Sequence, residues 1–440
     1  MWAAGALLVL LIAVAVATSV ALHHAEPFLR ARLVAELEQR FHARVELDSF
    51  HVSFMNGLWA EGKGLRIWPP AQEAAVNSGS PLIRLNEFRF HAPLRYEPGE
   101  PIYISLVELR GMDLDVPPKF RFGHGAGNPD SGQGRSGPVS FDVGTIECIH
   151  ARLTLQTDKP DKAPLVFAIA HLKLTGVGQR RGQMGFNAEL TNPRPPGTIF
   201  TQGRFGPWAL DDPGESPING SYRFEHADLG SFKGIAGTLS SKGNYQGTLR
   251  NISVDGDTDT PNFRLSSGSE AMHLRTHFHA RVDGTDGDTW LEPVNATLGQ
   301  SHLTAQGKIV RTGRTSGGSI AQPTGHKVAL RVNVDRGRIE DFLRLAAHGL
   351  PLLSGALKMN TSLDLPPGKE AISDRLRLNG SFSLENVQFT NANLQNRIDE
   401  LSLRGQGKPQ EAKQSNPVAI QSAMQSDYQM VNGVVTLPNL

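Results

Sequence analysis

Along most of this 440-residue chain, apolar and polar residues alternate with a period of two, and that period narrows the possible folds more than any other feature. The clearest run is Met272 to Asp283. Met272, Leu274, Phe278, Ala280 and Val282 fall on one side, interrupted only by Thr276, while His273, Arg275, His277, His279, Arg281 and Asp283 fall on the other. Successive side chains of a strand point to opposite faces, so an alternation this long predicts an antiparallel strand with one dry and one wet face. Ile83–Phe90, Ile102–Val116, Phe141–Leu155, Leu165–Thr175, Lys327–Val334 and Arg375–Phe382 carry the same signature. A loose internal repeat accompanies it. Val107-Glu108-Leu109 followed by Leu114 and Val116 matches Ile146-Glu147-Cys148 followed by Leu153 and Leu155, and each reads as strand, short turn, strand. With 46 glycines and 28 prolines, about 17% of the chain, the composition suits a turn-rich β protein.

The N-terminal end departs from this period. Trp2 to Leu22 is apolar apart from Thr18 and Ser19 and carries no charge. As a helix it would measure roughly 32 Å, about the thickness of a bilayer core. A cleaved signal peptide is the alternative, but it has a basic start and a shorter apolar core of about 7–15 residues. The expectation is therefore a single transmembrane anchor. Arg30, Arg32 and Arg40 follow it, which the positive-inside rule would keep cytoplasmic, but too little precedes Trp2 for comparison. After Pro27, Leu29, Leu33, Leu37 and Phe41 recur every four residues, predicting an amphipathic helix packed on the first sheet. A second helix is expected at Ile339–Ala347, with Asp335 near its start and Gly349 just past its end.

Breaks in the pattern divide the chain. Gly123–Gly137 holds six glycines and Pro129, Thr312–Gly325 is similar, and Lys408–Pro417 is polar. The expected organisation is an anchor (1–24), a juxtamembrane amphipathic helix (25–44) and a first β block (45–122). A Gly-rich loop (123–137), a central β block (138–311) and a linker (312–326) follow. A C-terminal β block (327–407) and a polar tail (408–440) that stops mid-pattern complete it.

The composition and motifs argue against several chemistries. Forty-four basic and 43 acidic residues give a net charge of +1, which offers no electrostatic case for nucleic acid. The lone Cys148 excludes an intramolecular disulfide and a cysteine zinc cage. The Gly-rich loop lacks a Gly-Lys-Ser/Thr phosphate cradle, and neither a nucleophile elbow nor a His-Glu-x-x-His helix occurs. Asp255, Asp257 and Asp259 alternate like calcium ligands, but Thr260 and Ser266 stand where an EF-hand loop needs Gly and Glu. The run Asp283 to Asp288 is equally incomplete, and both clusters read as turn residues. His277 and His279 share a strand face with Arg275 and Arg281, which would repel a cation, so they read as solvent-facing. No catalytic residue, metal site or cofactor is expected, and the chain is read as a non-enzyme.

The apolar stripe has two readings. Met272, Leu274, Phe278, Ala280 and Val282 could fill a closed β-sandwich core. Alternatively, long strands form a trough whose dry face holds acyl chains, because an exposed apolar strip costs roughly 25 cal/mol per Å² unless something covers it. Ile104, Leu106, Leu153 and Leu155 are the corresponding groove candidates in the earlier strands.

Several segments resemble AsmA-like envelope proteins of Gram-negative bacteria. They are the anchor, the helix Leu29–Phe41, Val45-Glu-Leu-Asp-Ser49 and Gly62-Lys-Gly-Leu-Arg-Ile67, then Asp228 to Leu239, Gly256 to Phe263 and Val282 to Thr289. Gly380-Ser-Phe-Ser-Leu384 after the Leu365-Pro-Pro-Gly368 turn belongs with them. The likeness covers most of residues 1–407, and its motifs are strand and turn signatures, specific for fold and weak for activity. It implies a single-pass inner-membrane protein with its body in the periplasm. That body would be a mainly β, elongated, twisted antiparallel sheet or groove of repeating β units with a few short helices, similar to bridge-like lipid transfer proteins. The implied role is outer-membrane biogenesis, with phospholipid and the membrane as partners. The alternative is a structural or regulatory envelope protein acting on outer-membrane protein assembly through protein contacts.

Overall fold

The computed structural model describes residues 26–27, 30–31, 33–35, 37–38, 43–53, 58–68, 80–92, 102–117, 141–157, 159, 162–177, 182–209, 212–265, 270–312, 325–346, 349–407 and 422–438. The expected anchor Trp2–Leu22, the Gly-rich loop 123–137, linker residues 313–324 and the polar stretch 408–417 lie outside these. No helix among the described residues is long and apolar enough to cross a membrane. The chain is mainly β: the described residues form a mixed sheet of 21 strands with four short helices. It divides into two compact units: Met1–Gln156, Pro164–Leu190 and Gln202–Pro217 form the first, and Thr157–Ala163, Thr191–Thr201 and Ile218–Leu440 form the second.

In the first unit the described residues 26–27, 30–31, 33–35 and 37–38 are helical (α1), and Leu33, Val34 and Leu37 pack against Val45, Leu47, Phe50, Leu85 and Phe88. The polar side chains of α1 serve the neighbouring strand edge. Glu26 accepts from the Val52 N–H at 3.3 Å, Glu38 from the Val45 N–H at 3.3 Å, and Arg30 donates to the Leu47 carbonyl. Edge strands leave such backbone groups unpaired, and covering them blocks edge-to-edge association. The strands are β1 (Val45–Glu46), β2 (Ser49–Ser53), β3 (Leu58–Ile67), β4 (Ile83–Ala92), β5 (Ile102–Val116), β6 (Phe141–Leu155) and β7 (Leu165–Val177). Within β3, the ring of Phe88 lies across Gly62, where a Cβ would meet it at 2.2 Å.

Two expectations are corrected here. The sheet is not wholly antiparallel, because β5 and β6 pair in parallel. The matched positions of the internal repeat are ladder neighbours: Val107 opposite Ile146, Leu109 opposite Cys148, Leu114 opposite Leu153 and Val116 opposite Leu155. Parallel strands need a connection of a dozen or more residues, and 24 separate Val116 from Phe141. Nor is either repeat a strand–turn–strand. Each is one continuous strand with a left-handed residue inside it, Gly111 (φ 64°) in β5 and His150 (φ 56°) in β6, beside Gly64 (φ 67°) in β3. Each kink resets the alternation by one residue, so Leu109 and Met112, or Cys148 and Ala151, share one apolar face although they are three apart.

Strands β8 (Met184–Pro193), β9 (Pro196–Phe205) and β10 (Pro217–Asp228) contribute residues to both units. The second unit continues with β11 (Ile235–Ala236), β12 (Thr238–Thr248), β13 (Asn251–Leu265), β14 (Met272–Val282), β15 (Thr289–Leu298) and β16 (Ser301–Thr312). After them come β17 (Gly325–Arg338), β18 (Leu353–Leu365), β19 (Arg377–Phe389), β20 (Ser422–Val431) and β21 (Val434–Thr436). From β12 to β21 each strand pairs antiparallel with the next. The expected second helix is α2 (Ile339–Ala346), whose Ile339 and Phe342 pack on Leu357, Leu384 and Val387. Two helices sit in the region read as β: α3 (Ile372–Arg375) and α4 (Ala392–Gly405). The start of α4 is capped by Asn391, whose side chain accepts from the Asn393 and Leu394 N–H groups at 3.0 and 3.2 Å. Residues 422–436, read as tail, supply β20 and β21.

Candidate functional site

Alternation within β14, carried across the ladder by register, builds an uncharged sheet face. At the level of Ala280 the facing residues run Tyr245, Val254, Ala280, Leu291, Gly307, Leu330, Leu363, Leu378 and Met430, one from each strand from β12 to β20. Eight inter-strand steps make this row roughly 38 Å long. One level along, Ile252, Val282, Thr289, Ile309, Val328 and Leu365 form a parallel row. On the other side of Ala280, a third row runs Thr258, Thr276, Ala296, Leu303, Val334, Met359 and Phe382. Phe278 stands opposite Gly256, in reach of the position a Cβ there would occupy.

Among the described α-helices, α2 packs on β13, β17 and β18, and α4 on β19. They reach the end of the face near Leu357 and Leu384. The rows at Ala280 and Val282 keep Leu291, Leu330, Leu363, Val282, Ile309 and Val328 half-buried instead of enclosed.

The structure sorts the predicted residues. Leu274, Phe278 and Val282 are half-buried on this face. Ala280 is buried among its row, and Met272 is buried beside Gly299 and Asp341, so it acts as core rather than lining. Leu153 and Leu155 lie on the apolar face of the first unit, with Cys148 and Ala151. Ile104 and Leu106 do not join them. They precede the kink at Gly111, so alternation puts them with Glu108 and Arg110, opposite Val107 and Leu109. Burial pushes the Cys148 thiol up to about 11, leaving it unreactive at neutral pH.

The opposite face of the second unit is charged, and the structure corrects one reading of it. Asp255, Asp257 and Asp259 are not turn residues but lie within β13, facing the cationic side of β14. Asp259 meets His273 at 2.5 Å, Asp257 meets His277 at 3.0 Å, and Asp255 comes within 3.6 Å of His279. Cross-strand charge pairing offsets the low strand propensity of aspartate. His277 and His279 are solvent-facing, and among the described residues no cluster suited to a metal occurs. The second acidic run does form the β14–β15 turn, with the Gly287 N–H donating to the Asp283 carbonyl at 2.7 Å. A cleft of about 840 Å³ on this face, whose lining includes Arg223, Lys242, Asp257, Arg275, His277 and Arg336, had no sequence signal, since its residues come from seven strands, β10 and β12 to β17.

The hydrogen bond that the His277 imidazolium donates to the Asp257 carboxylate raises its pKa, with Asp255 adding attraction. The charged form is therefore favoured by folding: the contribution is present below about pH 6.5 and is lost as pH rises through the higher folded value. A proton NMR titration should place His277 above 6.5 and return it towards that value in Asp257→Asn. Titration of the wild-type ring at or below 6.5 would refute the pairing.

Comparisons of the chain with protein-family models, with curated proteins and with solved structures find no match.

Proposed function

We propose that the protein is a membrane-anchored, periplasmic, non-enzymatic protein of the AsmA-like kind that binds or conducts phospholipid acyl chains during outer-membrane biogenesis. The supporting observation is the uncharged face of β12–β20, whose rows at Ala280 and Val282 remain half-buried. Shielding a methylene from water is worth about 0.8 kcal/mol, so a continuous strip of this kind lowers the cost of moving a lipid tail through water. Headgroups would stay in solvent, and transfer would run down a gradient or be driven by a partner. A second reading, protein contacts in outer-membrane protein assembly, draws on the charged cleft of the opposite face.

The test is photo-crosslinking of the full chain with a phospholipid carrying a diazirine in its acyl chain. Adducts are expected on 272–282 and 289–298, and Phe278→Glu should remove them while circular dichroism stays unchanged. A protein that crosslinks nowhere on these strands sinks the lipid reading and favours the second.

A further inference from the structure

The cleft on the charged face of the second unit holds a row of donors that the fold leaves only partly used. Register brings Arg275, Thr297, His302 and Arg336 side by side on β14, β15, β16 and β17. Three inter-strand steps separate the two arginines, roughly 14 Å. His273 accepts from Arg275 Nε at 3.1 Å, and the Thr297 hydroxyl lies 3.4 Å from His302 Nδ1. Among the described residues, Arg336 has no ion pair and no side-chain hydrogen bond, and neither has Lys242 at the β12 side of the cleft. The acids of the cleft are already engaged. Glu225 pairs with Arg223 at 3.2 Å, Asp257 with His277 at 3.0 Å, and Asp259 with His273 and, at 3.7 Å, with Arg275. Asp335 accepts from the Asn333 amide at 2.7 Å. It is the one carboxylate of these four whose partner is uncharged, so the two unpaired cations outnumber it.

We propose that this cleft binds a phosphorylated saccharide, with the phosphoryl group between Arg275 and Arg336 and sugar hydroxyls on Asn295 and Thr304. A guanidinium fork matches phosphate oxygens two at a time. A phosphate monoester brings three acceptor oxygens and a charge of about −1.5 to −2, where a carboxylate brings two oxygens and a single charge. Two arginines, a hydroxyl and an imidazole are therefore better used by phosphate. Asn295 and Thr304, in the neighbouring row, have no side-chain hydrogen bond among the described residues. Both can donate and accept, as sugar hydroxyls require. Phe224 also borders the cleft, but between Arg223 and Glu225 it alternates to the opposite face, so it offers no ring for stacking a nucleobase. At about 840 Å³ the cleft falls within the roughly 300–1,000 Å³ of small-molecule sites. The recognition chemistry is the same for a free sugar phosphate and for a phosphorylated sugar or inositol carried as a lipid headgroup. It does not rest on the lipid-binding face, which lies on the other side of the sheet.

The test is calorimetric titration of the full chain in phosphatidylcholine nanodiscs with glucose 6-phosphate and with glucose. The phosphate is expected to bind, and glucose to bind at least about tenfold more weakly. Arg336→Gln should weaken glucose 6-phosphate binding by about tenfold or more, the loss of one charge-assisted fork. Lys308→Gln, on the same face but outside the cleft, should leave it unchanged. Both side chains are exposed, so circular dichroism should not change in either variant. A second arm measures co-sedimentation of the nanodiscs with vesicles of phosphatidylcholine alone or with phosphatidylinositol. Capture that needs both phosphatidylinositol and Arg336, without binding of the soluble sugar phosphate, assigns the site to a lipid headgroup. Binding of neither phosphorylated probe overturns the proposal, as does glucose binding as tightly as its phosphate. An Arg336→Gln variant that binds normally, or an equal loss in Lys308→Gln, also overturns it. Binding of poly-glutamate while both phosphorylated probes are inert would replace it with an acidic protein partner.

Discussion

Asp288→Asn is expected to destabilise the second unit by about 3–5 kcal/mol, the usual cost of removing one partner from a buried ion pair. Asp288 accepts from the Lys162 ammonium, with side chains 12% and 4% exposed, and from the Arg311 N–H at 2.9 Å. Its own N–H donates to Asp286 at 2.9 Å, and Asp286 in turn pairs with Lys159. The amide keeps the shape of the carboxylate but not its charge, so Lys162 is left buried and uncompensated. Guanidinium unfolding should show a lower midpoint with little change in slope. Adding Lys162→Met should recover much of the loss, since an apolar side chain needs no partner there. A shift below about 0.5 kcal/mol, or a double variant weaker than Asp288→Asn alone, would refute the pair as a determinant of stability.

A comparable loss is expected for Asp341→Ala in α2. This carboxylate, 2% exposed, accepts from the Gln300 N–H at 2.9 Å and the Ser301 hydroxyl at 2.8 Å. It therefore ties the helix to the β15–β16 turn, where Gly299 has φ of 59° and sits too close to Asp341 for a Cβ. Hydrogen bonds to a charged group contribute about 1.5–3 kcal/mol each, and alanine leaves two donors unsatisfied. A loss of about 3 kcal/mol corresponds to a fall in Tm of roughly 6–12 °C for a unit of this size. Asp341→Asn, which retains an acceptor, should lose less than half as much. Equal losses for the two variants would assign the effect to packing instead.

Strand positions were legible where alternation is local. Ile102–Val116 and Phe141–Leu155 coincide with β5 and β6, and Met272–Asp283 overshoots β14 by one residue. The composition of the β14 face was legible too, because i and i+2 share a side in any regular strand. The outcome for Ile104 and Leu106 was not. A single left-handed residue reverses which parity faces inwards, and glycine at 111 signals permission for that conformation without requiring it. His150 takes the same conformation in β6 with no such signal. Helix α4 was missed because two of its leucines, Leu394 and Leu401, are exposed, so its period does not describe a core.

The sequence by itself determined the mainly β class, the dry and wet faces of an unkinked strand such as β14 and the position of α2, because these depend on residues a few positions apart. Only the tertiary structure decided that β5 and β6 run parallel, that three aspartates stand in a strand opposite histidines, and that Lys162 and Asp288 meet. Those outcomes rest on pairings between distant segments, 126 residues apart for Lys162 and Asp288. The energy of such a pair depends on burial and register, neither of which exists until the chain has folded.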